Sequence, residues 1–195
     1  MDVIGPLVAL AITILLLTLF WRRRGGSSTD GSTDVSKTNR LAHQLENALE
    51  DDHPETRTHL ESPPTVRDLS VVGAGEEGEP VSVPTVRIDL GTIDAPKLNF
   101  VFEYVASVLE TIHPILEDEE VRVRRYDVQF TFGPDGLLVS GECREVSVPP
   151  SMATRLLEED GYRALELRRD VERGDDGTDR HGENDGSRPV LWGEC

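Results

Sequence analysis

Apolar positions along this chain fall into stretches of different period, and each period predicts a different element. Residues 3–21, VIGPLVALAITILLLTLFW, are apolar almost without a break and carry no charge. As a helix this run spans roughly 28 Å, close to the ~30 Å hydrocarbon core of a bilayer. Its anchoring side chains are Val3, Ile4, Leu7, Val8, Leu10, Ile12, Ile14, Leu15, Leu16, Leu17, Leu19, Phe20 and Trp21, with Trp21 at headgroup level. Arg22, Arg23 and Arg24 follow at once, whereas Met1 and Asp2 bring no positive charge. The positive-inside rule then predicts a single-pass anchor with its N-terminus outside and all that follows in the cytoplasm. A cleavable signal peptide has its basic residues before the apolar run and a small-residue site after it; here the order is reversed.

Residues 25–80 read as a linker. GGSSTDGSTD (25–34) is a polar tether. Within residues 36–51, Leu41, Leu45 and Leu49 recur at i, i+4 and i+8, which predicts a short amphipathic helix. Its narrow stripe either packs back on the domain or docks elsewhere. From 55 to 80 the chain is rich in Pro, Gly and acid. Gly73, Gly75 and Gly78 match the spacing of a dinucleotide fingerprint, but that mechanism needs a helix N-terminus facing the pyrophosphate. Glu76, Glu77 and Glu79 would repel the anion, and Pro80 with a strand-like run follows. A glycine-rich loop is the better account.

The folded part is predicted over residues 81–171. Val81 and Val83, then Val86, Ile88 and Leu90, alternate as in a strand, with Pro84 at the phase change, a position that suits an edge strand or a bulge. Asp94 is placed to cap a helix with Pro96 in its first turn. Leu98, Val101, Phe102, Val105, Val108, Leu109 and Ile112 form its apolar face, and Pro114 should end or kink it. Tyr126, Val128, Phe130 and Phe132 alternate with polar residues. After the turn Gly133-Pro134-Asp135-Gly136 a return strand runs to Val148, predicting a β-hairpin. A short helix over 151–160 closes at Gly161, and 162–170 reads as a last strand with Leu165 and Leu167 inward. The order β-α-β-β-α-β is that of a ferredoxin-like, split-βαβ domain. The expected class is therefore α+β: a single N-terminal transmembrane helix (1–24), a linker (25–80), the domain (81–171) and an acidic disordered tail (172–195).

Charge changes the picture in one respect. With 37 acidic against 20 basic residues the net charge is −17, and Lys37 and Lys97 are the only lysines. Such acidity argues against nucleic acid, whose phosphates need a cationic surface. With lysine so scarce it resembles a halophilic adaptation, tolerable where salt shortens the Debye length to a few ångströms. Cys143 and Cys195 form no CxxC, and in a reducing cytoplasm both are expected as free thiols.

No catalytic, cofactor or metal signature emerges. The histidines at 43, 53, 59, 113 and 181 lack metal-ligand spacing, and the Asp-rich stretch from 175 to 185 lacks the register of a calcium loop. Arg122, Arg124, Arg125 and Arg144 concentrate positive charge, either for cross-strand pairs or for an acidic ligand. Val190, Leu191 and Trp192 form a lone apolar cluster, a candidate partner contact or an extra strand docked on the domain. The chain resembles no known family closely enough to carry a function over. The leading expectation is a non-enzymatic interaction or adaptor module, bound to membrane lipid through its anchor and to an unknown protein partner. The alternative is a membrane-tethered small-ligand or regulatory domain, with Tyr126 or the arginines pointing into a pocket.

Overall fold

The computed structural model describes residues 31–51, 60, 62–74, 80–92, 94–133, 141–175 and 189–195. The predicted anchor at 3–21 and its arginine flank lie outside the described residues, and no described helix is long and apolar enough to cross a membrane. In chain order the elements are α1 (Gly31–Asp51), β1 (Thr65–Ala74), β2 (Pro80–Asp89), α2 (Leu98–Asp118) and β3 (Arg122–Val123). Then come β4 (Tyr126–Phe132), β5 (Glu142–Val148), α3 (Pro150–Glu158), α4 (Ala164–Asp175) and β6 (Val190–Glu194). The class is α+β. Met1–Asn39 and Arg40–Cys195 separate as two units, and the fold described below is that of the second.

The strands form one mixed sheet in the order β1-β2-β4-β5-β6, with β3 also paired to β2. Strands β2 and β4 are parallel neighbours, with Val86 opposite Val128 and Ile88 opposite Phe130. The α2 crossover thus makes an ordinary βαβ unit, not the split βαβ of a ferredoxin-like domain, in which another strand would lie between the two. The other pairs along the path are antiparallel.

Alternation gives the sheet two unlike faces. Val86, Ile88, Val128, Phe130 and Val146 enter the core, where they meet Val101, Phe102, Val105, Leu109 and Ile112 of α2. Ala153 and Leu156 of α3 and Leu167 and Val171 of α4 complete that layer, together with Leu41, Leu45 and Leu49 of α1. Burying each such aliphatic or aromatic side chain contributes roughly 1.5–3 kcal/mol. The stripe on α1 is therefore core and not a free docking surface.

Several elements depart from the sequence expectation. Thr65–Ala74, inside the stretch read as linker, is a strand, with Leu69 buried and register shifts beside Asp68 and Gly73. Pro84 lies in an interior strand, not at an edge. It is tolerated there because β2 passes from β3 to β4 at that point: β3 pairs as far as Ser82 and β4 begins at Thr85, so the ladder on that side needs no N–H from residue 84. Asp94 does not cap α2; Lys97 stands at the cap without a side-chain bond. Pro114 sits inside the helix, which continues to Asp118 because Ile112 and Leu116 are fully buried on either side of it. The helix then stops in a Schellman turn. Glu120 takes a left-handed φ of 54° while its N–H donates to the Glu117 carbonyl and that of Val121 to Leu116.

Residues 164–170, read as part of a last strand, belong to α4. Strand parity would bury Leu165 with Leu167, but Leu165 is 47% exposed and the buried pair is Leu167 and Val171, four apart. Arg168–Glu172, Arg169–Glu166 and Arg173–Asp170 pair at helical spacing on its surface. Gly161 does not cap α3, which ends at Glu158 with an extended Glu159 at the cap; its φ of 89° serves the turn that follows, where the Tyr162 N–H donates to the Glu159 carbonyl.

Candidate interaction site

Val190, Leu191 and Trp192 lie in β6, half-buried. That strand pairs with β5 through Arg144 opposite Glu194, Glu145 opposite Gly193 and Ser147 opposite Val190. Trp192 packs on the aromatic pair of β4: its ring is 6.2 Å from Phe132 at an interplanar angle of 11°, and 5.9 Å from Phe130. Of the two readings of the cluster, the structure holds the docked strand.

One step beyond the Arg144–Glu194 pair, Cys143 and Cys195 are joined in a disulfide, with Cα atoms 5.6 Å apart. The expectation of two free thiols is thereby corrected. Sequence reasoning missed the pair because nothing local links residues 52 apart in sequence. The one usable signal was the VLWGEC run itself, a strand-like segment ending in the second of two cysteines.

The sheet face opposite the core is polar and knitted together. Asp89 accepts from the Thr131 hydroxyl, from Arg87 Nε at 2.9 Å and from Ser62 at 3.4 Å. Burial works to raise the Asp89 carboxyl, but the bonds from Thr131 and Arg87 outweigh it and hold the group below the usual carboxylate value. Asp127 accepts from Arg125 Nε at 2.8 Å and from the buried Ser147 hydroxyl at 2.7 Å. This bond to Asp127 raises the Arg125 guanidinium above its ordinary value. Gln129 donates to Glu145 at 3.0 Å, and Arg144 lies 3.7 Å from both Glu142 and Glu194. The arginine concentration read in the sequence is thus spent, at Arg125 and Arg144, on neighbouring acids.

Between the layers lies one buried polar chain. The Tyr126 hydroxyl donates to His113 Nδ1 at 2.5 Å, His113 Nε2–H donates to Thr154 Oγ1 at 3.1 Å, and Thr154 donates to the Pro150 carbonyl at 3.2 Å. This direction of donation follows from the last link: Thr154 has one proton, given to Pro150, so it must accept from His113. The last link places a proton on Nε2, and because burial favours the uncharged ring, Nδ1 is left to accept from Tyr126: the neutral Nε2–H tautomer. Burial pushes the His113 pKa down, against the nearby Glu117 and Glu158 charges, and burial likewise pushes Tyr126 up. The chain pins α2, β4 and α3 together, and it occupies the place between helix and sheet where Tyr126 was expected to meet a ligand.

The sheet has one edge of another kind. Strand β1 lies at the end of the sheet opposite β6, ten residues long, and Val71 and Val72 on it are 55% and 43% exposed. An edge strand carries a row of outward backbone donors and acceptors, and apolar side chains beside them make it a template for strand addition. Among the described residues no group of three or more His, Cys, Asp or Glu is placed to hold a metal ion. No protein-family model, no curated protein and no solved structure matches the chain.

Proposed function

We propose that this chain is a single-pass membrane protein that presents its small α+β domain in the cytoplasm as a non-enzymatic interaction module, with β1 as the recognition edge. The observation that carries the reading is the ten-residue edge strand with exposed Val71 and Val72. The occupant is an extended segment of a partner protein, which adds a strand to β1 and covers the two valines. The anchor at 3–21 and the arginines at 22–24 support the membrane placement and its direction. The net charge of −17 is read as adaptation to a high-salt interior, with the few exposed apolar side chains left to supply specificity.

The test is affinity capture at high salt from detergent-solubilised membranes of the native host, comparing the full chain with Val71→Lys/Val72→Lys. Both positions are exposed, so the double substitution should leave the thermal midpoint within a few degrees. A partner retained by the native chain and lost on substitution supports the reading. Identical capture by the two chains, or no protein captured by either, refutes it.

A further inference from the structure

Strand β6 is held by a short ladder to β5, by packing against α4, by Leu191 and Trp192 on the core and by its disulfide. Its apolar side chains are half-buried, its ladder with β5 has a register shift between Glu145 and Ser147, and among the described residues its ion pair joins Arg144 to a Glu194 side chain that is 85% exposed. An ion pair so open to water contributes little. Trp192 stacks over Phe132 and lies against Phe130, and Leu191 packs on the core beside it. Of the two bonded residues, Cys195 is exposed and Cys143 is half-buried within β5.

We propose that Cys143–Cys195 is a redox clasp that keeps β6 closed over the β5 edge and releases it when cellular thiols reduce the bond. The proposal rests on the cytoplasmic placement argued above, because only there would a thiol pool work continually against the bond. A low-molecular-weight or protein thiolate attacks the sulfur of Cys195, the exposed residue of the pair. The S–S bond breaks, the Cys143 sulfur leaves as a thiolate and takes up a proton, and a mixed disulfide remains on Cys195. A second thiol attacks that mixed disulfide and frees Cys195 as a thiol. Two cellular thiols are thereby oxidised to one disulfide, and the protein cystine is reduced to two thiols.

What the clasp covers gives its release a consequence. Strand β5 pairs with β4 on one side and β6 on the other, so loss of β6 turns Glu142–Val148 into an edge strand. It also bares the surfaces of Phe130 and Phe132 under Trp192. The oxidised domain has β1 and the short β6 as its sheet edges; the reduced domain has β1 and β5. The rest of the fold does not depend on the bond, since Tyr126, Phe130, Val146 and Val148 are fixed against α2, α3 and α4.

The experiment is amide hydrogen exchange, read by mass spectrometry, on the full chain in detergent at molar salt. It compares the oxidised protein, the protein reduced by dithiothreitol with both thiols confirmed by alkylation, and Cys195→Ser. Exchange in residues 142–148 and 190–194 should accelerate at least about tenfold on reduction and in the variant, while 126–132 and 101–116 keep their protection. Unchanged protection of β5 and β6 with both thiols free overturns the clasp, as does loss of protection throughout the domain, which would make the bond a plain structural staple. In host cells, acid quenching followed by alkylation should find a reduced fraction. A fully oxidised pair overturns the clasp, and protease added to intact cells then locates the failure: cleavage of the domain refutes the cytoplasmic reading, and protection leaves that reading standing and refutes the clasp alone.

Discussion

Leu45 offers the sharpest check on where the folded domain begins. Read alone, residues 36–51 form an amphipathic helix whose stripe has no assigned partner; in the fold Leu41, Leu45 and Leu49 are 5%, 0% and 1% exposed and belong to the core. Truncating Leu45 to Ala removes three buried carbons from a site with no exposure at all, and such changes cost about 2–5 kcal/mol depending on how far the surroundings collapse. For a domain of this size each kcal/mol lowers the midpoint by roughly 2–4 °C, so the expected fall is on the order of 10 °C. The assay is thermal unfolding of the full chain in mild detergent at molar salt, followed by circular dichroism. Gln44→Ala, exposed on the same turn, is the control and should stay within about 0.5 kcal/mol of the native chain. If Leu45→Ala melts with that control, α1 is not part of the core, and its stripe is a docking surface after all.

Two further expectations concern stability. Because burial depresses the His113 pKa below its ordinary value of 6.5, the unfolded chain binds a proton more readily than the folded one. His113 therefore contributes stability that is complete above about pH 6.5 and is lost as the pH falls from there through the lowered folded value; melts between pH 4.5 and 7.5 should show His113→Gln less stable at neutral pH and with a flatter acid slope, and a parallel slope would refute the neutral tautomer. The two left-handed positions should respond with opposite signs: Glu120→Gly, at φ 54°, relieves backbone strain and should stabilise by about 1 kcal/mol, whereas Gly161→Ala, at φ 89° with open space around the added methyl, should cost about the same. Denaturant midpoints at constant slope read both, and equal shifts of one sign would show that something other than φ decides.

Local periodicity settled what depends on neighbours a few residues apart. The face of α2 from Val101 to Ile112, the alternation of Tyr126 to Phe132 and the stripe on α1 were all legible, because a helix or strand shows its buried side at a spacing of four or two. Where two spacings fit the same letters, the reading failed. Leu165 and Leu167 suit a strand, but Leu167 and Val171 suit a helix, and the choice belongs to the core that α4 packs against. Strand β1 was illegible, and β6 was legible only as one of two readings, for a different reason: each gains its hydrogen bonds from an edge supplied elsewhere in the chain, β2 for one and β5 for the other. The same holds for the neighbouring placement of β2 and β4, which decides between an ordinary and a split βαβ unit. Residues 143 and 195 could be known as a bonded pair only after β6 had found its register, since that alone sets the two cysteines opposite each other. The sequence by itself determined which faces of this protein shun water; the tertiary structure decided which of them meet, because pairing is a contest among distant edges that no local pattern records.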